Sequence, residues 1–384
     1  MNPILYGRQN ITEEDIQAVV ETLRSDFLTQ GPKIAEFEND FAQYVGAQYA
    51  VAVSNGTAAL HLSAMAVNVQ PGDNVIVTPM TFAASANCVR YCGGNVVFCD
   101  IDRDTYLLDM DKLRQLLESK SKGYYKGIIP VDFAGYPVHG EKLREIADEY
   151  GLWVIEDACH APGAWFTDSK GEKQLAGNGK FAVLTCFSFH PVKHIATGEG
   201  GMITTNSKAL YEKLLLYRTH GITKNPDLLN ENHGGWYYEM LELGYNYRLT
   251  DFQAALGISQ LKRANAGLAR RQEIAHRYDE AFKDIPEIIT TKIPPDVYHA
   301  YHLYVIQTDN RLSLYNYLKG NNIHAQVHYE PVHLQPYYKK FGNKLGDMPI
   351  AEDFYRHCLS LPIYPALTDE EQEYVIGKVR KYVI

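Results

Sequence analysis

Thr185–Asn206 reads T-C-F-S-F-H-P-V-K-H-I-A-T-G-E-G-G-M-I-T-T-N. An apolar, β-branched run ends in Ser188-Phe189-His190, a short polar loop carries Lys193, glycines stand at 198, 200 and 201, and M-I-T-T re-enters an extended stretch. The pattern places a lysine on a tight turn between two strands. Surface lysines usually sit among polar helix formers, whereas aromatic, β-branched and glycine neighbours hold this one in a cleft. Desolvation there lowers an amine's pKa and makes it a nucleophile; without such a cleft, the same lysine only decorates a hairpin.

Working outward from this segment, strands and helices alternate. Tyr49–Val53, Asn74–Thr78, Val96–Ile101, Gly127–Asp132 and Leu152–Glu156 are apolar, β-branched runs, and helical stretches begin at Ala58, Ala83, Asp109 and His139. Such alternation predicts an α/β fold with a mainly parallel sheet covered by helices on both faces. Ligands of such sheets collect beyond the strand C-terminal ends. Gly56 and Thr57 open a helix directly after a strand, where free amides and the helix dipole favour a phosphate, although many such turns bind nothing. Phe82, at the start of the next helix, either stacks on a flat ring or packs into the core. Asp157 and His160 come directly after the strand L-W-V-I-E; the aspartate serves a ligand or caps the next helix.

Upstream, Thr12 starts a helix with an acidic first turn, and a second helix runs from Ile34 to a stop at Gly46, with Thr29 in the intervening loop facing a ligand or merely linking. Downstream, Lys208–Tyr217 is helical, and Ile222–Leu243 is an irregular polar-aromatic loop of the kind that serves an active site or a subunit contact. Asn246 and Arg248 precede a helix capped by Thr250 whose helix formers continue to Phe282. The C-terminal pattern differs: strands at His299–Gln307 and Ile323–Tyr329, helices at Arg311–Lys319, Ile350–Leu359 and Asp369–Val383. Two domains are therefore expected, residues 1–250 and a small α+β unit of residues 251–384. His328 and Tyr329, at a strand end, are candidates for contacting substrate or ordinary surface residues.

With 384 residues, 46% hydrophobic and 22% charged, the chain is long enough for one large core and one smaller. Its formal charge of −9 and the lack of clustered Lys/Arg with aromatics argue against a nucleic-acid partner. The opening M-N-P-I-L-Y-G-R-Q-N has no signal-peptide core, and no run approaches the roughly 18 apolar residues of a membrane span, so a cytoplasmic protein with no membrane partner is expected. The six cysteines form no C-x-x-C pair, which predicts reduced thiols and no metal.

A nucleophilic lysine, a strand-end aspartate, an aromatic plate and a phosphate cradle that includes Ser188 together describe a site for pyridoxal phosphate. Lys193 is then the Schiff-base lysine and proton shuttle of a transamination, Asp157 the partner of the ring nitrogen, Phe82 the stacking group and His160 a contact to the ring oxygen. S-N-G-T-A-A-L, T-F-A-A-S-A-N, V-I-E-D-A-C-H-A-P-G-A, F-S-F-H-P-V-K-x-x-x-T-G-E-G-G-M-I-T-T-N and G-Y-N-Y-R-L-T-D-F-Q-A-A-L-G, in this order, resemble the sugar-nucleotide aminotransferases of the fold-type I pyridoxal-phosphate enzymes. The resemblance spans nearly the whole chain. It implies a seven-stranded, mainly parallel sheet in the large domain and a small C-terminal domain. It assigns the cofactor contacts to Gly56, Thr57, Phe82, Asp157, His160, Ser188 and Lys193, and it implies a homodimer in which Asn246 reaches the phosphate of the neighbouring subunit.

R-S-D-F-L-T-Q-G-P and A-Q-V-H-Y-E-P-V-H-L-Q-P-Y-Y look most like the branch that moves an amino group from L-glutamate to C4 of a UDP-linked 4-keto-6-deoxy-N-acetyl sugar of the pseudaminic acid route. Thr29, His190, Arg248, His328 and Tyr329 are then expected at the sugar. The alternative is an aminotransferase for another nucleotide-linked keto sugar, of the GDP-perosamine or dTDP-amino sugar type. Two departures stand out: His160, where many members carry glutamine, and His194, where relatives commonly carry asparagine or proline. A sugar dehydratase that keeps the fold but replaces the lysine with histidine is disfavoured by Lys193 standing in frame, and a cofactor-binding regulator by the acidic charge.

Overall fold

A computed structural model describes residues 2–383. Its centre is a seven-stranded sheet in the spatial order Tyr49–Val53, Gly201–Thr205, Leu184–Ser188, Trp153–Asp157, Tyr125–Ile129, Asn74–Val77, Asn95–Phe98. Gly201–Thr205 runs antiparallel to both neighbours, and the other pairings are parallel. Six strands therefore point their C-terminal ends at one edge. There lie Ser54-Asn55-Gly56, Pro79–Phe82, Asp157 and Ser188, as the alternation predicts.

Local chemistry explains the helix limits. Thr12 starts the helix Glu13–Leu23, its backbone N–H donating to Asp15 Oδ2 at 2.9 Å. Asp15 is fully buried because Arg263 and Gln260 also reach it, so an acidic first turn doubles as a tertiary tie. The next helix, Pro32–Val45, stops at Gly46, whose φ of 79° suits a residue without Cβ. Its Phe37 and Phe41 pack on Phe187 and Phe189, which brackets the Lys193 loop with a rigid aromatic layer.

Several elements differ from the sequence reading. The long helix toward Phe282 is two, Asp251–Lys262 and Ala264–Phe282, broken at Arg263 where the guanidinium turns back to Asp15 and the Asn10 carbonyl. The strand expected over His299–Gln307 covers only Tyr304–Gln307, and Ile323–Tyr329 only Ile323–His324. Both segments leave the ladder to carry side chains toward the central cavity, which regular pairing would forbid. The last helix of the small unit's middle section ends at His357, and Cys358–Leu361 becomes a strand beside Tyr304–Gln307. A hairpin, Trp165–Thr167 with Lys173–Leu175, leaves no mark in the sequence pattern because its strands are too short for alternation to show. The irregular segment after Ile222 contains a two-residue ribbon, Ile222–Thr223 with Glu239–Met240.

The expected boundary at residues 250 and 251 is crossed in both directions. Ile4–Leu5 pairs in parallel with Ile323–His324, and Asp251–Lys262 packs on the first two helices. No helix among the described residues is long and apolar enough to cross a membrane.

Candidate active site

A cavity of about 900 Å³ opens at the C-terminal edge of the sheet. Gly56, Thr57, Phe82, Asp157, His160, Ser188, His190, Lys193, His328 and Tyr329, ten of the expected site residues, all line it. Thr29, Asn246 and Arg248 do not. Thr29 forms a β-bridge with Thr250, Asn246 bridges Thr219, and the two loops are stitched together by Asp251, which accepts from the Gly31 and Lys33 amides at 2.8 and 3.0 Å. Thr29 and Asn246 are exposed, and Arg248 is half-buried.

Lys193 sits in the loop between the two antiparallel strands, half-buried, with Nζ 3.4 Å from His302 Nε2. Desolvation is the main reason its pKa falls to about 8; Cys159 and Asp157 oppose that fall and Arg271 adds to it. An amine with that pKa is about one-tenth free base at pH 7 and half free base at pH 8, far more than an ordinary lysine.

Asp157 ends its strand with both oxygens held. Oδ1 accepts from the Cys159 amide at 3.2 Å, and Oδ2 accepts from the Ser85 hydroxyl at 2.5 Å. Ser85 in turn is 2.6 Å from Thr81 Oγ1. The carboxylate is thus aimed by its neighbours.

His160 is fixed through its ring nitrogens. Nδ1 accepts from the Ala134 amide at 3.2 Å, so in the neutral ring Nε2 carries the proton and donates toward the Tyr329 oxygen at 3.3 Å. Burial, with Lys193 and other histidines nearby, holds its pKa well below the ordinary value, which keeps that ring neutral. His328 is similarly neutral, its pKa pushed down to about 3 by burial, with Nδ1 2.8 Å from Ser360 Oγ. Phe82 is 62% exposed, which excludes the core-packing reading: its ring faces the cavity 6.3 Å from that of Tyr329. His194 points away, donating from Nε2 to the Ala300 carbonyl at 2.8 Å.

The phosphate cradle is built from a helix start and a small residue. Asn55 caps Gly56–Ala66 by accepting from the Ala58 amide at 2.8 Å, and the first two amides, of Gly56 and Thr57, have no acceptor within the helix. A Cβ on Gly56 would stand 2.9 Å from Ser188 Cβ and 3.3 Å from its hydroxyl. That space is needed for an anion to reach the amides. The residues present therefore fit pyridoxal phosphate: Lys193 for its aldehyde, Asp157 for its ring nitrogen, Gly56, Thr57 and Ser188 for its phosphate.

Sequence reasoning missed Tyr6 and His302 at this cavity and Ser85 buried behind Asp157. Ser85, in the first turn of the helix Ala84–Tyr91, is met by Thr81 from the loop that precedes it. His302 stands in an apolar run three residues after His299, and a second imidazole there was the available signal. Tyr6 had none, because it comes from the chain start by pairing with the C-terminal unit.

Fold and site together define a pyridoxal-phosphate-dependent sugar aminotransferase. The chain belongs to the DegT/DnrJ/EryC1/StrS aminotransferase family, whose sequence profile matches residues 9–380. It is 41% identical over 386 residues to the Bacillus subtilis spore coat polysaccharide biosynthesis protein SpsC, covering 98% of this chain and 96% of that one. It is 38% identical over 381 residues to the Campylobacter jejuni UDP-4-amino-4,6-dideoxy-N-acetyl-beta-L-altrosamine transaminase, covering 97% and 95%. Among solved structures it resembles Helicobacter pylori PseC, an aminotransferase of pseudaminic acid biosynthesis, with a TM-score of 0.89 and 31% identity over 100% of this chain and 99% of that one.

Pyridoxal phosphate, when bound, supplies an aldehyde for amines to condense with and a conjugated ring that delocalises the electron pair left on a substrate carbon. The geometry sets the protein's own part. Lys193 can take and return a proton at Nζ, Asp157 presents a carboxyl held by the Cys159 amide and the Ser85 hydroxyl, and neutral His160 offers one N–H. The Phe82, Tyr6 and Tyr329 rings narrow the mouth.

Proposed function

We propose that this enzyme transfers an amino group from L-glutamate to C4 of a UDP-linked 4-keto-6-deoxy-N-acetyl sugar on the route to pseudaminic acid. Glutamate leaves as 2-oxoglutarate, and the sugar ketone becomes a primary amine. The observation that carries the choice of sugar is the end-to-end likeness to the Campylobacter jejuni transaminase, over 97% of this chain. Lys193 is the lysine that carries the cofactor, Asp157 faces its ring nitrogen, His160 its ring oxygen and Phe82 its face, while Gly56, Thr57 and Ser188 hold its phosphate. His190, His328 and Tyr329 meet the sugar.

The same reading makes the protein a homodimer with shared sites, Asn246 of one subunit reaching the phosphate of the other, and Thr29 and Arg248 contributing to the sugar pocket. The position of those three residues outside the cavity of their own chain supports it, as does the exposure of Trp236 and Leu243, 76% and 74%, on the segment leading to Asn246.

The test supplies purified protein with the cofactor, L-glutamate and one keto sugar at a time, linked to UDP, GDP or dTDP, and measures 2-oxoglutarate and the amino sugar by mass spectrometry. The UDP-linked substrate is expected to turn over fastest. Turnover of only the GDP- or dTDP-linked sugar would discard this substrate and keep the aminotransferase. Lys193→Ala is expected to abolish both turnover and the borohydride-reducible bond to the cofactor while keeping the melting temperature.

A further inference from the structure

Lys193 is not alone at the foot of the cavity. His302 is 5% exposed, with Nε2 3.4 Å from Lys193 Nζ and Nδ1 buried with no partner among the described residues. The imidazole is delivered there by an unusual piece of backbone. Tyr301 adopts a left-handed conformation, φ 48°, which an aromatic residue adopts only when its surroundings enforce it. Two contacts do so. The Tyr301 amide donates to His299 Nδ1 at 2.8 Å, and its carbonyl accepts from Arg271 at 3.0 Å. Arg271, 1% exposed, spends its charge on main-chain carbonyls, those of Tyr301, His302 and Ile363 at 3.0, 3.5 and 3.0 Å. All three bonds come from one terminal nitrogen of the guanidinium, so the turn is held by a single donor group placed beneath it.

The unpartnered Nδ1 indicates the tautomer. A buried N–H without an acceptor is rarer than an unfilled lone pair, so the proton belongs on Nε2, facing the lysine. An Nε2–H can only donate to an amine that has its lone pair. We propose that His302 is the proton partner of Lys193, donating Nε2–H to the free amine, and that Arg271 and the left-handed turn at Tyr301 are the device that positions it. This rests on the reading of Lys193 as the cofactor lysine. When Nζ takes a proton its lone pair is lost and His302 is left facing a like-oriented donor, so the contact favours the free base. A lysine that must accept and release a proton in each turnover is served by such a partner.

The charged and titratable groups around Nζ are Asp157 and Cys159 at the end of their strand, His160 after them, His194 beside it in sequence, His328 from the small unit and Arg271 from its helix. Burial first, and then Lys193, His160, His194 and Arg271, hold the His302 pKa well below the ordinary value.

The test uses the full-length chain freed of cofactor. Trace labelling with acetic anhydride across pH, read at the Lys193 peptide by mass spectrometry, gives the midpoint of its titration. The wild-type midpoint is expected at about 8. His302→Phe keeps the ring and its packing but has no nitrogen, and should raise the midpoint by about one unit, the scale of one hydrogen bond to one protonation state. His302→Gln, which restores an N–H donor, should return it most of the way. Arg271→Met fills the same space without the donor that holds the Tyr301 and His302 carbonyls and should raise it by about half a unit. A midpoint unchanged or lowered in His302→Phe overturns the proposal, and a wild-type midpoint in Arg271→Met removes Arg271 from it. Lys193→Ala separates the two readings. If that variant keeps the borohydride-reducible bond, the cofactor assignment fails; if it loses the bond while His302→Phe titrates normally, only the role of His302 fails.

Discussion

Behind Asp157 lies a second pair of carboxyls whose cost can be measured. Asp132 is fully buried; its Oδ1 accepts from the Val138 amide at 2.8 Å, and the other oxygen faces the Glu156 carboxyl. Glu156 Oε2 accepts from Thr185 Oγ1 at 2.7 Å and the Gly177 amide at 3.2 Å. Burial first, and the neighbouring carboxylate second, push Asp132 well above the usual carboxylate range, and burial also raises Glu156. Asp132 therefore holds its proton to higher pH than an exposed carboxyl does. A carboxyl whose folded pKa exceeds its unfolded one contributes stability that is complete below the unfolded value, about 4, and is lost as pH rises through the folded value. Asp132→Asn cannot ionise, keeps the acceptor for Val138 and offers Glu156 an N–H. One amide hydrogen stays unpaired at a cost of about 1 kcal/mol, against a gain of about 1.4 kcal/mol for each unit by which the carboxyl pKa was raised. The net expectation is a gain in stability at pH 8, read as a higher melting temperature, shrinking toward nothing or a small loss near pH 4. Calorimetry from pH 4 to 9, at fixed saturating cofactor, measures it. A variant no more stable than wild type at pH 8, or a gain independent of pH, would refute the raised pKa of Asp132.

Other outcomes depend on single contacts. Gly56→Ala puts a methyl within 2.9 Å of Ser188 Cβ, so overpacking should destabilise the cofactor-free chain by about 1–3 kcal/mol, and because the same methyl stands where an anion would approach the amides, pyridoxal phosphate affinity should also fall in a fluorescence titration. Ser85→Ala removes the donor to Asp157 Oδ2, worth about 1.5–3 kcal/mol for a charged acceptor, and should lower kcat by tenfold or more, while Ser85→Thr restores it. Arg218→Met strands Glu38, left with the Ala52 amide as its donor among the described residues, and breaking this buried pair should cost about 3–5 kcal/mol in chemical unfolding, most of it recovered by Glu38→Gln in the same chain.

Much of the architecture is legible in the sequence. The alternation of β-branched runs with amphipathic stretches gives a parallel sheet because each strand and helix buries a face set by its own periodicity. Gly56, Asp157, Ser188 and Lys193 are readable as a site because they stand at strand ends, and strand ends of a parallel sheet meet at one edge. Element limits fail where tertiary contacts override local preference: Arg263 breaks a helix to reach Asp15, and His299–Tyr301 leaves its strand to satisfy Arg271.

What the linear order could not contain was which distant groups touch. Tyr6 enters the cavity only because Ile4–Leu5 pairs with Ile323–His324, and His302 meets Lys193 only because a buried guanidinium holds Tyr301 in a strained turn. The sequence alone determined the sheet, the lysine and the cofactor chemistry, since each depends on neighbours within a few residues. Only the tertiary structure decided the tautomer of His160, the partner of the lysine and the exclusion of Thr29, Asn246 and Arg248 from the cavity of their own chain, because hydrogen bonding and desolvation act between groups that the chain brings together only by folding.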